Sequence, residues 1–139
     1  MTDAVVVDAS IAVAWVHPDQ RTVTSEALLD ALNRGIPAHA PSIWPLEVSN
    51  ALLALSRRGK LSEKIRQAGL HRLSALRVLI DQDGVSLAWD RLSDLAVAHS
   101  LSVYDAAYVE LALRRGFKLA SKDEALRRAA TLAGLTLWA

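Results

Sequence analysis

The run Val5-Val6-Val7-Asp8-Ala9-Ser10 joins three β-branched residues to an acid and a small hydroxyl residue. Three consecutive valines predict a short buried strand, because β-branched side chains pack well in extended backbone. Asp8 would end this strand beside a hydrophobic core, where a carboxylate is costly to desolvate without a partner. The run therefore predicts a buried strand that carries a functional acid at its carboxyl end.

Helix-like and strand-like segments alternate along the rest of the chain. Apolar residues at helical spacing predict helices at 25–34, 45–58, 62–79, 89–99, 102–115 and 124–133. Short apolar runs predict further strands at 36–40, 85–87, 117–120 and 135–138, with a turn at 81–84. Such alternation predicts an α/β fold with a parallel sheet between two layers of helices. Ligands of such sheets bind beyond the carboxyl ends of the strands.

The composition narrows the class of protein. A chain of 139 residues, 52% of them hydrophobic, suits one domain over 1–139 with a sizeable core. The absence of cysteine excludes a disulfide scaffold, thiolate catalysis and a Cys-type zinc site. No signal peptide and no uncharged apolar run of roughly 20 residues is visible, so we expect a soluble, cytoplasmic protein without membrane contact. A net charge of +1 gives no general attraction for nucleic acid, so RNA would need a local basic patch or metal ions.

Four of the fifteen carboxylates stand out by their positions. Two follow predicted strands and two lie in the first turns of predicted helices: Asp8, Asp123, Glu47 and Asp105. Together they would converge on one rim of the sheet, where four carboxylates raise each other's pKa values. A divalent cation relieves that repulsion, and an all-carboxylate site suits Mg²⁺ or Mn²⁺ better than zinc or copper.

Helix capping offers a structural interpretation for two of these positions. Ser102 with Asp105, and Ser121 with Glu124, have the spacing of a capping box. Acids in the first turn of a helix are also stabilised by the helix dipole, whatever else they do. Taken singly, Asp105 and Asp123 are therefore explained equally well by structure and by function.

The chain from Val5 to Leu137 resembles the PIN-domain family and, within it, the VapC-like toxins. The matching motifs are Val7-Asp8-Ala9-Ser10, Glu47-Val48-Ser49-Asn50-Ala51-Leu52, Tyr104-Asp105-Ala106-Ala107-Tyr108-Val109-Glu110-Leu111-Ala112 and Ser121-Lys122-Asp123. The resemblance implies a PIN-like three-layer α/β/α fold with a central, mostly parallel sheet. It also implies a Mg²⁺- or Mn²⁺-dependent endoribonuclease that forms the toxin half of a VapBC-type toxin–antitoxin pair.

The resemblance also assigns roles to individual residues. The catalytic, metal-binding acids of the family map onto Asp8, Glu47, Asp105 and Asp123, and the groups that orient carboxylates and waters map onto Ser10, Asn50 and Ser121. Lys122, Arg57 and Arg58 are candidates for RNA phosphates, although the helix dipole is the favoured explanation for both arginines. The implied partners are RNA, a VapB-like antitoxin and a second copy of the chain. Residues 11–15 and 45–79 offer plausible contact surfaces, with core packing as the alternative.

Three other functions use acids or folds of a similar kind. An aspartate-based phosphatase needs a second acid where Ser10 stands, and a receiver-type signalling domain needs an acidic pair after the first strand. Both therefore fit poorly. A non-catalytic PIN-like module that binds RNA or protein remains open, and metal-independent RNA binding without cleavage would distinguish it.

Overall fold

The computed structural model describes residues 3–138. Its strands are β1 (Val5–Val7), β2 (Ala38–Pro41), β3 (Val78–Asp81) and β4 (Lys118–Ala120). Its α-helices are α1 (Ala9–Val16), α2 (Val23–Asn33), α3 (Trp44–Arg57), α4 (Glu63–Ala75), α5 (Arg91–His99), α6 (Val103–Arg115) and α7 (Glu124–Leu132). Short 3₁₀ segments span Pro18–Gln20 and Val85–Trp89. Within residues 3–138, no helix is long and apolar enough to cross a membrane.

The four strands form a parallel sheet in the order β3-β2-β1-β4, as the alternating pattern predicts. The three valines of β1 are fully buried, which matches their prediction as a buried strand. The chain leaves β1 toward β2 and β3 and later returns to place β4 on the other side of β1, where Val7 pairs with Ala120. The order of strands thus changes direction beside β1, and such a point is where open α/β sheets bind ligands.

The segment predicted as a helix from 62 to 79 differs in its last part. α4 ends at Ala75, Leu76 is extended, and β3 begins at Val78. β3 pairs with β2 from Ala38↔Val78 to Pro41↔Asp81. Leucines at helical spacing do not distinguish a continuing helix from a strand, and pairing with the sheet decides the outcome.

Two other predicted strands are also altered. Residues 85–87 belong to the 3₁₀ segment Val85–Trp89, so the predicted strand there is wrong. Residues 135–138 contribute an isolated parallel bridge, Leu119↔Leu137, rather than a strand. Both predictions rest on short apolar runs. The sequence of such a run does not indicate whether a neighbouring strand is available to pair with it.

Residues 9–16 follow β1 directly and form α1. Its residues from Ile11 to Val16 are all buried. The stretch 11–15, considered as a contact surface from its sequence, is therefore part of the core and not available to a partner.

Arg114, near the end of α6, joins this helix to the end of β3. Its guanidinium donates to Glu110 at 2.8 and 3.0 Å and to Asp81 at 2.7 and 3.1 Å. Glu110 is only 1% exposed, so its carboxylate depends on this arginine for its charge-assisted hydrogen bonds. The pKa of Asp81 is lowered, first by the hydrogen bond from Arg114. The contact fixes the distance between β3 and α6.

Candidate active site

Asp8 lies at the centre of the candidate site. It follows β1, and its backbone N–H donates to the Ala120 carbonyl at 2.9 Å, which sets it beside the end of β4. Its side chain is buried, and one carboxylate oxygen, Oδ2, accepts hydrogen bonds from Ser10 Oγ at 2.7 Å and Ser121 Oγ at 2.8 Å. Burial raises the pKa of Asp8, while the two hydroxyl bonds act in the opposite direction.

The two serine hydroxyls also fix the loop that follows β4. Ser10 Oγ accepts from the backbone N–H of Lys122 at 2.9 Å, and Ser121 Oγ accepts from that of Asp123 at 3.0 Å. Each hydroxyl therefore donates to Asp8 and accepts from the loop. This arrangement fixes the position of the Asp8 carboxylate relative to the loop after β4.

Glu47 approaches from the first turn of α3. It is half-buried, and its Oε1 accepts a hydrogen bond from Tyr108 Oη at 2.6 Å. Burial raises the pKa of Glu47, the Tyr108 bond lowers it, and the charge of Asp8 raises it again. The effect of Asp8 shows that these two carboxylates lie within electrostatic range of each other.

The charges of the other three candidate acids all act on Asp105. It lies in the first turn of α6, and its backbone N–H donates to the Oγ of the N-cap residue Ser102 at 3.0 Å. Burial raises the pKa of Asp105 to about 6, with further increases from the charges of Asp8, Asp123 and Glu47. The four acids predicted from the sequence therefore share one electrostatic environment.

Asp123 has a second, structural role. It is exposed and forms the N-cap of α7, where its Oδ1 accepts from the backbone N–H of Leu126 at 3.0 Å. The capping box predicted for Ser121 and Glu124 is wrong, because Ser121 donates to Asp8 instead and Asp123 takes the capping position. Capping therefore engages one oxygen of Asp123.

The donor set fits a hard divalent cation. It consists of carboxylates supported by hydroxyl groups. Burial raises the pKa of Asp105 most, the charges of Asp8, Asp123 and Glu47 raise it further, and a cation would relieve that repulsion. Among residues 3–138, no three acids or histidines are close enough to enclose a metal on their own. Mg²⁺ commonly uses one or two carboxylates and keeps several waters, so an open arrangement of this kind suits it.

The family model of the PIN domain matches residues 5–132. The chain belongs to the PIN-domain family. Ribonuclease VapC3 of Pyrobaculum aerophilum is 32% identical to it over 121 residues, which cover 87% of this chain and 90% of that relative. Ribonuclease VapC3 of Mycobacterium tuberculosis is also 32% identical, over 129 residues, with 81% of this chain and 88% of that relative covered.

A solved structure of this family extends the similarity to three dimensions. One such structure is the crystal structure of VapBC2 from Rickettsia felis bound to a DNA fragment from the VapBC2 promoter. A chain of that structure superposes on this protein with a TM-score of 0.67 at 12% sequence identity. The superposition covers 96% of this chain and 96% of that one. At so low an identity the agreement concerns the fold, and it confirms the predicted PIN-like α/β architecture.

The remaining residues proposed from the sequence lie farther from Asp8 or are already engaged. Asn50 is exposed on α3, one turn after Glu47, whereas Lys122 Nζ donates to the Gln20 carbonyl at 2.7 Å. Arg57 and Arg58 lie at the other end of α3, about 15 Å along the axis from Glu47 at 1.5 Å per residue. The structure thus holds the Lys122 ammonium at the Gln20 carbonyl and leaves the two arginines at a helix end.

Two residues that contact the site were missed by sequence reasoning. Tyr108 donates to Glu47, and Arg127 Nη1 donates to the Ser121 carbonyl at 3.0 Å. Tyr108 has a signal in the sequence, because it follows Asp105 by three positions and so lies on the same side of α6. Arg127 has none, because its contact depends on how α7 packs beside the loop after β4.

An apolar groove of about 280 Å³ lies between α3, the 3₁₀ segment Val85–Trp89 and α6. Leu46 precedes Glu47 and Tyr104 precedes Asp105, and both line this groove together with Ile43, Val85 and Val103. Leu46 and Tyr104 are 67% and 60% exposed. The groove therefore leaves apolar surface uncovered on α3 and α6, the helices that also carry Glu47 and Asp105.

The Asp105→Asn variant is expected to melt a few degrees higher than the wild type at pH 7.5 without metal. The pKa of Asp105 is raised from 3.8 to about 6 in the folded protein, so the proton stabilises the fold at low pH and this stabilisation is lost as the pH rises through 6. The amide stays neutral and avoids that loss. The gain should shrink as the pH falls from about 6 toward 4, and melting curves across that range with EDTA test it. An equal gain at pH 4.5 and 7.5 would contradict the raised pKa of Asp105.

Proposed function

We propose that this PIN-domain protein is a divalent-metal-dependent endoribonuclease and the toxin of a VapBC-type toxin–antitoxin pair. The observation that carries the proposal is a buried Asp8, held by the hydroxyls of Ser10 and Ser121, whose charge acts on Asp105 together with those of Asp123 and Glu47. An RNA substrate is supported by the relatives named ribonuclease VapC3, which align over most of this chain. We propose further that residues 1–139 form a single domain and that it acts in the cytoplasm, which is compatible with an RNA substrate.

The acids are assigned different parts in this reaction. Asp8 is the central ligand, because it is the most buried of them and two hydroxyls fix its orientation. Glu47 and Asp105 bind the cation directly or through water, and Asp123 acts through the oxygen that does not cap α7. A bound Mg²⁺ or Mn²⁺ supplies an activated water and neutralises charge on the scissile phosphodiester.

The neighbouring groups orient these acids and the substrate. Ser10 and Ser121 hold Asp8, as partners of metal-binding carboxylates commonly do, and Asn50 reaches water or RNA from the exposed face of α3. Lys122 precedes Asp123 in the chain and is the candidate for a phosphate contact, for which its Nζ would leave the Gln20 carbonyl. Arg57 and Arg58 are the weaker candidates for RNA phosphates, because their position at the end of α3 also suits the helix dipole.

A VapB-like antitoxin and a second copy of the chain are the proposed protein partners. The antitoxin is supported by the similarity of the fold to VapBC2 of Rickettsia felis. Co-expression with the gene next to its own, followed by co-purification and light scattering, tests both partners. If the chain purifies without the product of the neighbouring gene and stays monomeric, both proposed partners are contradicted.

Cleavage of total cellular RNA by the purified protein tests the proposed activity. Reactions contain Mg²⁺, Mn²⁺ or EDTA, and sequencing of the new ends gives the target. Discrete fragments that depend on metal support an endoribonuclease. RNA binding that needs no metal and yields no fragments would favour the non-catalytic module instead.

Divalent metal is expected to raise the melting temperature of the wild type more than that of Asp8→Asn or Asp105→Asn. A ligand that binds only the folded state stabilises it by mass action, and each variant lacks one charged ligand. The measurement is the shift between EDTA and 5 mM Mn²⁺. Asp30→Asn, at an exposed acid of α2, is the matched control and should shift as the wild type does. Equal shifts in all four proteins would show that these acids hold no metal.

A further inference from the structure

Tyr108 is the largest of the fully buried side chains, and its hydroxyl ends at a carboxylate. The ring belongs to the hydrophobic core, whereas the Oη donates to Glu47 Oε1 at 2.6 Å. The bond crosses from α6 to α3, over a separation of 61 positions in the sequence. It is therefore a tertiary contact between the two helices that supply Asp105 and Glu47.

Packing alone does not explain a tyrosine at position 108. A phenylalanine would fill nearly the same volume and would bury no hydroxyl that requires a hydrogen-bond partner. A buried hydroxyl must recover the hydrogen bonds that it loses to water. Burial and the neighbouring Glu47 raise the pKa of Tyr108, so the phenol stays protonated and acts as a donor. Its one partner among the side chains of residues 3–138 is the Glu47 carboxylate.

The bond also determines which part of Glu47 is available. A glutamate in the first turn of a helix has several rotamers, and ordering it costs conformational entropy. Tyr108 engages Oε1 and thereby selects one orientation, in which Oε2 is the oxygen left for a cation. Groups that orient a metal ligand in this way commonly change metal affinity by 10–100-fold when they are removed.

We propose that Tyr108 is a positioning residue for Glu47, which holds that carboxylate ready for the divalent cation. The inference rests on the proposed metal-dependent function. It adds to that function a link between α6 and α3, because the helix that carries Asp105 also orients the acid on the other helix.

The test is the affinity for Mn²⁺ alone, measured by titration calorimetry on the purified full chain. Tyr108→Phe keeps the ring in the core and removes only the hydroxyl. The Kd for Mn²⁺ is expected to rise by about 10-fold. Tyr104→Phe is the matched control, because Tyr104 lies on the same helix and is 60% exposed; its Kd should equal that of the wild type.

A double-mutant cycle with Glu47→Gln separates positioning from packing. If Tyr108 acts through Glu47, Tyr108→Phe should not weaken Mn²⁺ binding further in the Glu47→Gln background. RNA cleavage by Tyr108→Phe should also recover as Mn²⁺ is raised, because only the affinity is reduced. A fall in the metal-free melting temperature with an unchanged Kd would assign a purely structural role to Tyr108 and overturn the inference. Failure of the wild type itself to bind Mn²⁺ would overturn the proposed function together with it.

Discussion

Asp8→Asn is expected to reduce RNA cleavage by about 10³-fold or more at pH 7.5 in saturating Mg²⁺. The substitution removes the charge of the most buried acid in the site and keeps an oxygen that can accept from Ser10 and Ser121. Loss of a central ligand forfeits the charge stabilisation that a metal ion gives, which is worth several kcal/mol. A barrier higher by about 4 kcal/mol corresponds to a factor of about 10³.

The variant should remain folded, which separates loss of chemistry from loss of structure. Initial rates are measured on an RNA that carries the mapped cleavage site, beside circular dichroism melts of both proteins. Asp30→Asn, prepared in the same way, should cleave at the wild-type rate. Wild-type cleavage by Asp8→Asn, after a nuclease contaminant has been excluded, would remove Asp8 from the site.

Arg114→Met is expected to lower the free energy of unfolding by about 3 kcal/mol. The substitution removes the guanidinium that binds both carboxylates, and the side chains of Glu110 and Asp81 are only 1% and 6% exposed. The half-exposed Arg91, 3.8 Å from Glu110, stays as a weaker charge partner. Removing one partner of a buried ion pair is costly because the remaining charge stays desolvated. Urea unfolding at 25 °C and pH 7 measures the loss.

The carboxylates themselves supply the control for this prediction. Arg114→Met combined with Glu110→Gln and Asp81→Asn should lose less stability than Arg114→Met alone, because no unpaired charge remains. Arg128→Met, at an exposed arginine of α7, should change the unfolding free energy by less than about 0.5 kcal/mol. A loss in the triple variant equal to that in the single one would point to packing of the arginine stem instead.

Local patterns determined most of the elements. Three valines followed by an acid specified β1 and the position of Asp8, because a β-branched run has few alternatives to a buried strand. Ser102 and Gly116 bracketed α6, since a hydroxyl cap and a left-handed residue define helix ends locally; Gly116 has φ 73°. By contrast, the first half of β3, Val78 and Leu79, falls in a predicted helix, because its pairing with β2 is absent from its own sequence.

The candidate acids show the same difference between what local sequence indicates and what the fold decides. Their placement after strands and at helix starts, together with the resemblance to PIN domains, singled out Asp8, Glu47, Asp105 and Asp123 before any geometry was known. The fold then decided what surrounds each one. The contact of Ser121 with Asp8 and that of Tyr108 with Glu47 join residues 113 and 61 positions apart.

The sequence by itself thus indicated the helices α2 to α7, the strands β1, β2 and β4 and the candidate acids, because strand patterns, caps and motifs are short-range properties of the chain. Only the tertiary structure decided that Ser10 and Ser121 share one oxygen of Asp8, that Asp123 caps α7 and that Arg114 joins Glu110 to Asp81. The physical reason is that hydrogen bonds and charge coupling depend on distances of a few ångströms. Those distances arise from packing β1 between β2 and β4, which no local stretch of the chain encodes.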